Sequence, residues 1–275
     1  MKMVDCTKGQ VPFGKLFMTS GARKKANLAV EALQELAGAP LEYYAYLLTS
    51  QSEPNIVRDI YFPKNQSNSG AHTAVPAEEV VAAAKDIREL GYRVAGWCHA
   101  HPGFSTNPSQ TDWQNNQDML DQLAASNLYE WNRSLIQCGD SLDLRVDDKT
   151  NGNAKVRVLT GDAYVPFIQF EIETGGLYSF LARHILPRIR VKNLGMQVPR
   201  IAGFSFSIVV NGREGQEHSG ITYVTNCGFC DTRPEYKFAK IPLETLAVPD
   251  DITVTADALM QELRGKVRGH YAGQV

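Results

Sequence analysis

The chain has 275 residues, 43% of them hydrophobic and 21% charged, with a formal net charge of -2. That composition suits a globular protein with a sizeable core, and it lacks the basic field that a nucleic-acid surface needs. No apolar run approaches the ~18 residues of a membrane span. MKMVDCTKGQ has no apolar signal core, and five scattered cysteines do not make a secreted framework, so a cytoplasmic protein is expected.

In chain order, ARKKANLAVEALQELA (22–37) predicts an amphipathic helix with Leu28, Leu33 and Leu36 near one face, stopped by Gly38 and Pro40. LEYYAYLLTS suits a buried strand, and NIVRDIYF a second one after a turn at Glu53-Pro54. KNQSNSGAHTA (64–74) reads as a polar loop. Pro76 and AEEVVAAAKDIRELG predict a helix ended by Gly91, and YRVAGWCHAH a strand.

Farther on, DWQNNQDMLDQLAASN predicts a helix, and SLDLRV, AKVRVL and VPFIQFEI short strands. LYSFLARHILPRI reads as a short helix cut by Pro187. GFSFSIVVNG and GITYVTNCGF are strand candidates, and TADALMQELRGKV predicts a final helix. The order of elements is that of an α/β or α+β protein.

Chemistry concentrates in GWCHAHPGFSTNPSQTDW (96–113). In a strand, residues i and i+2 share a face, so His99 and His101 project side by side. Neutral imidazoles so placed suit one metal ion, and Pro102-Gly103 ends the strand where a ligand can enter. Asp112 returns as a third ligand at the start of a helix; three protein ligands plus water is the pattern of a catalytic zinc site. Ser109 and Asp112 also read as an ordinary helix start, with Ser109 as N-cap. Cys98 alternates to the opposite face and reads as core packing.

The pattern His-x-His-Pro, six residues, Ser, two residues, Asp resembles the signature of the JAMM (MPN+) metalloproteases, the JAB domain family, and departs from it only at Ala100. The resemblance covers roughly residues 20 to 125 and implies a cytidine-deaminase-like three-layer fold, with a mixed sheet flanked by helices. It also implies an upstream glutamate at the start of the strand after the first helix. Glu42 occupies that place; Glu35 lies on the helix and Glu53 past the strand. GFSFSIVVNGREG resembles a late strand of the same fold. A single domain with an insertion at about 130–200 is therefore expected, the alternative being a domain over 1–172 followed by a second over 173–275.

What the resemblance implies for function is zinc-dependent hydrolysis of an amide or isopeptide bond at the C-terminus of ubiquitin or a ubiquitin-like protein. His99, His101 and Asp112 would hold one Zn2+, Glu42 would act as general base, and Ser109 would donate to the oxyanion. Phe104 and Trp113 flank the motif as candidate substrate contacts, and a homodimer is a further expectation. Two rivals are a peptidase processing a ubiquitin-like sulfur carrier and a scaffold that binds without cutting. Cys227-Gly-Phe-Cys230, with His218 or His184, is a candidate second metal site, against two buried strand cysteines.

Overall fold

The computed structural model describes residues 11–70, 73–123, 126–137, 141–148, 154–158, 169–172, 188–192, 195–225, 236–249 and 251–269. In chain order these form β1 (Leu16–Thr19), α1 (Ser20–Ala37), β2 (Tyr44–Thr49), β3 (Ile56–Tyr61), β4 (Gln66–Asn68), β5 (Thr73–Ala74), α2 (Ala77–Glu89), β6 (Arg93–Ala100) and α3 (Gln110–Leu123). There follow β7 (Leu128–Gln137), β8 (Ser141–Asp148), β9 (Ala154–Val158), β10 (Gln169–Ile172), β11 (Arg188–Lys192), β12 (Gly195–Val210) and β13 (His218–Thr225). The chain continues with β14 (Tyr236–Lys240), β15 (Leu243–Leu246), α4 (Ala256–Arg264) and β16 (Val267–Gly269).

The chain clusters into two compact units. One comprises Val11–Leu128, Gly203–Tyr223 and Tyr236–Val275. Its sheet has the order β14-β13-β12-β6-β2-β3-β1-β15. The sheet is mixed: β6 runs parallel to β12 and antiparallel to β2, β2 is antiparallel to β3, and β1 is parallel to both β3 and β15. The mixed α/β sheet flanked by helices is the fold expected from the sequence. In the other unit, Tyr129–Ala202 with Val224–Glu235, β10, β9, β8 and β11 form an antiparallel four-stranded sheet.

Alternation along β2 sorts the layers. Tyr43, just before it, donates its hydroxyl to the Ala26 carbonyl on α1 at 2.7 Å. Tyr46 and Leu48 face the other way, into a cluster with Ala83 and Ile87 of α2, Trp97 of β6 and Met119 of α3. So α1 covers one face of the sheet, while α2 and α3 cover the other.

The helices begin and stop for local reasons. Thr19 caps α1 by accepting from the Ala22 N–H, and Gly38 ends it in the left-handed region at φ 67°. Thr255 caps α4 in the same way. The buried face of α1 differs from the leucine stripe expected: Ala22, Ala26, Ala29, Val30 and Leu33 are buried, while Leu28 and Leu36 lie at its margin. Small residues let the helix sit close to β1 and β3, and the larger leucines fall to the sides.

One further expectation changes. Residues 64–74 are not all loop, because β4 pairs with β5 and, in parallel, with β16. Of the helix read in LYSFLARHILPRI (177–189), residues 177–187 lie outside the described residues, and Arg188 and Ile189 belong to β11. No helix among the described residues is long and apolar enough to cross a membrane.

Candidate metal centre

The histidines are delivered by β6, whose path is set by a close approach. A Cβ on Gly96 would lie 1.9 Å from the Phe206 carbonyl oxygen of β12, so only glycine fits there. On the other side, the β2–β6 register jumps from Leu47↔Gly96 to Leu48↔Val94, a bulge that leaves Ala95 unmatched. Beyond this kink Trp97 and His99 share a face, with rings stacked at 4.3 Å and 11°. Tyr44 also stacks on Trp97, at 5.5 Å. The indole N–H donates to Asn116 Oδ1 at 2.8 Å, which ties the ligand strand to α3.

His101 follows the last strand residue and donates its backbone N–H to the Val210 carbonyl at 2.8 Å. Its ring Nδ1 lies 2.9 Å from the Ser105 carbonyl oxygen. A carbonyl only accepts, so Nδ1 carries the proton and Nε2 presents a lone pair.

Asp112 arrives from the first turn of α3. Ser109 Oγ accepts from the Asp112 N–H at 3.2 Å, and Asp112 Oδ2 accepts from the Ser109 N–H at 2.6 Å. This reciprocal capping box turns the carboxylate back over the helix N-terminus. The helix start and the ligand position are thus one arrangement.

The three side chains converge. Nε2 of His99 and Nε2 of His101 are 3.1 Å apart; Asp112 Oδ1 is 3.1 Å from the first and Oδ2 3.5 Å from the second. Ligands at about 2.0–2.1 Å around a tetrahedral zinc lie roughly 3.3 Å from one another. Each separation is near that edge length, the two to Asp112 being from different oxygens of its carboxylate, and one ligand atom from each residue lies within 4.8 Å of the others. Two imidazole lone pairs and a carboxylate turned toward one point also suit a cation better than each other. Among the described residues this is the one group of such ligands found together.

The electrostatics agree. Burial opposes charge on Asp112, but the imidazoles of His101 and His99 beside it and the Ser109 N–H override it and hold the carboxyl far below the usual range. His99 is lowered by burial, which Asp112 only partly counters, so it stays neutral. His101 is raised, first because its protonated form would donate to Asp112, and also by the charge of Glu42.

Glu42 reaches this face through strand register. Tyr44 pairs with His99 in the antiparallel β2–β6 ladder, and the Ala100 N–H donates to the Tyr43 carbonyl at 3.2 Å. Continuing the ladder by the same step sets Glu42 opposite His101 and on its face. Ser109 is exposed at the rim of the centre.

The other residues singled out in the sequence are placed as follows. Phe104 is 65% exposed beside the motif, and Trp113 is 38% exposed with its ring edge-on to Phe238 at 4.1 Å. Cys98 is fully buried on the α1 face, 3.7 Å from the Tyr43 hydroxyl. His218 is half-buried, with its Nε2 lacking a hydrogen-bond partner and its pKa lowered by burial and Lys240. Cys227, Cys230 and His184 lie outside the described residues.

Four residues of the surroundings escape the sequence reading: Trp97, Asn116, Gln66 and Asn68. The first had a usable signal, since the strand period that pairs His99 with His101 places Trp97 on the same face.

Residues 24–146 match the family model described as prokaryotic homologs of the JAB domain. The matched segment holds every residue of the centre described above, and it bears out the JAB/MPN resemblance read from the motif. No curated protein matches the chain.

Proposed function

We propose that this chain, a member of the JAB/MPN family over residues 24–146, is a zinc-dependent peptidase. Its substrate is the peptide or isopeptide bond at the C-terminus of a ubiquitin-like protein. The observation that carries this reading is the convergence of His99, His101 and Asp112, on a face to which the β2–β6 register also brings Glu42.

When bound by those three ligands, Zn2+ supplies Lewis acidity and lowers the pKa of water toward ~7. Glu42 accepts the proton of the attacking water and later passes it to the leaving amine. Ser109 Oγ already accepts from the Asp112 N–H, so its own proton is left to donate to the oxyanion. The Ser105 carbonyl and the Trp97 ring keep the two imidazoles from reorienting. No side-chain nucleophile is required, and Cys98 faces the opposite side of the sheet.

Support for a protein substrate is the apolar flank of the motif, where Phe104 stands in solvent. A second reading, removal of a linear extension from a ubiquitin-like sulfur carrier, is favoured by the prokaryotic character of the matching family model. A scaffold without turnover is disfavoured because all five motif residues are retained. We also read residues of about 130–200 as an insertion into one JAB domain; the support is that Tyr129–Ala202 interrupts the chain of the first unit.

The test is cleavage of a ubiquitin-like protein carrying either a linear C-terminal extension or a lysine-linked partner. The zinc-loaded protein cuts at least one, and Glu42→Gln cuts neither while keeping its metal. Cleavage of the linear form alone selects the sulfur-carrier reading. Binding without cleavage by the metal-loaded protein overturns the peptidase.

A further inference from the structure

The backbone on both sides of Tyr43 is held in an unusual way. On one edge it pairs with β6. On the other edge no strand backbone meets it at Tyr44; instead β4 presents two side-chain amides. Gln66 Oε1 accepts from the Tyr44 N–H at 3.0 Å, and Gln66 Nε2 donates to the Tyr44 carbonyl at 2.8 Å. Asn68 Nδ2 donates to the Glu42 carbonyl at 2.7 Å, while the Glu42 N–H donates to the Ser69 carbonyl at 2.9 Å. All four backbone polar groups of residues 42 and 44 are therefore tied to the segment 66–69.

The two amides are buried as deeply as any core residue, Gln66 at 0% and Asn68 at 1% exposure. Gln66 Nε2 also donates to the Pro63 carbonyl, and Gln66 Oε1 accepts from Asn68 Nδ2 at 3.3 Å, so the pair is locked together. Asn68 orientation follows from its partners: Nδ2 faces two acceptors, the Glu42 carbonyl and Gln66 Oε1. Its Oδ1 is buried with no hydrogen-bond partner. Apolar side chains here would orphan the backbone groups of residues 42 and 44, and Asn68 supplies its donor while leaving its own oxygen unpaired.

We propose that Asn68, braced by Gln66, is the positioning residue for Glu42. It fixes the backbone of residue 42, and so the direction from which the carboxylate meets the cation and its substrate. Asn68 touches no ligand and takes no proton. This inference rests on the reading of Glu42 as general base.

The experiment uses the full chain loaded with Co2+ and the probe acetohydroxamic acid, which binds a divalent cation as hydroxamate and leaves its proton on the adjacent carboxylate. Binding is read from the visible spectrum, so no substrate is needed. In Glu42→Gln the proton has no acceptor, and acetohydroxamate binding weakens by about tenfold or more. In Asn68→Leu, which keeps volume but loses the donor, it weakens by roughly three- to tenfold while Co2+ affinity stays within about twofold of wild type. Asn68→Ser, too short to reach the Glu42 carbonyl, behaves alike and decides the matter if the leucine variant does not fold. Once a substrate is in hand, the same variants lower kcat with KM unchanged. If both Asn68 variants bind acetohydroxamate as wild type does while Glu42→Gln does not, the positioning role is overturned. If Glu42→Gln itself binds as wild type, the general-base reading falls, and this inference with it.

Discussion

Asp112 meets its two histidines because a helix cap leaves its carboxylate nowhere else to point. Removing that carboxylate takes away one of three ligands and the charge that partners both imidazoles. Asp112→Ala is expected to retain roughly a tenth or less of the one zinc per chain expected of the wild type after dialysis, measured by elemental analysis. Cys98 gives a second expectation. Burial pushes its thiol up to about 12, against a partial offset from the Tyr43 hydroxyl. At pH 8 the thiolate is then on the order of one part in ten thousand. Iodoacetamide should leave the Cys98 peptide unlabelled in the native protein and label it fully in urea, as read by peptide mapping. The ligand set was legible in the sequence because its members lie within fourteen residues and obey strand and cap spacing. Gln66 and Asn68 were not, because KNQSNSG has the composition of a solvated loop, and nothing local says that two of its amides are fully buried.

At the scale of elements, the delivery of β6 depends on Gly96. A methyl group there collides with the Phe206 backbone, which cannot rotate away as a side chain can. Gly96→Ala should cost about 3 kcal/mol or more, seen as a lower urea midpoint, together with weaker metal binding as the histidine strand shifts. The N-terminal half of α1 is anchored differently. Arg23 donates to both oxygens of Glu217, at 2.9 and 2.7 Å, and Asn27 adds a third bond. Burial raises the Glu217 pKa, but the Arg23 hydrogen bond, its backbone bond and Asn27 more than offset this, so it lies below the ordinary carboxylate value. The folded protein therefore binds fewer protons here than the unfolded chain. The stabilisation is fully present above the unfolded pKa and is lost as pH falls through the folded one. Glu217→Gln should lower stability at pH 7 by about 3 kcal/mol, and the gap to wild type should shrink below about pH 4, as urea titrations at the two pH values would show. Apolar periodicity revealed that α1 exists, but not which stripe is buried, since alanines score weakly in any such pattern.

Across the whole molecule, the cation would join β6 to α3, two elements otherwise linked at the centre by Trp97 and Asn116. A ligand bound only by the folded state stabilises it by mass action. Stripping the metal with a chelator should lower Tm by roughly 10 °C, and added Zn2+ should restore it, as read by calorimetry. The fold class could be read from the chain because strands and helices alternate with clear stops. The strand order could not, because β1 joins β15, and β4 joins β16, across most of the chain. That last pairing has a consequence for synthesis. Gln66 and Asn68 find their parallel neighbours Val267 and Gly269 only when roughly 200 further residues have emerged. At translation speeds of about 5–20 residues per second, the ribosome needs on the order of ten to forty seconds to supply them. A nascent chain thus displays its histidines long before β16 can pair with the strand that holds the backbone of residue 42, so that support is completed only after Val267–Gly269 has emerged.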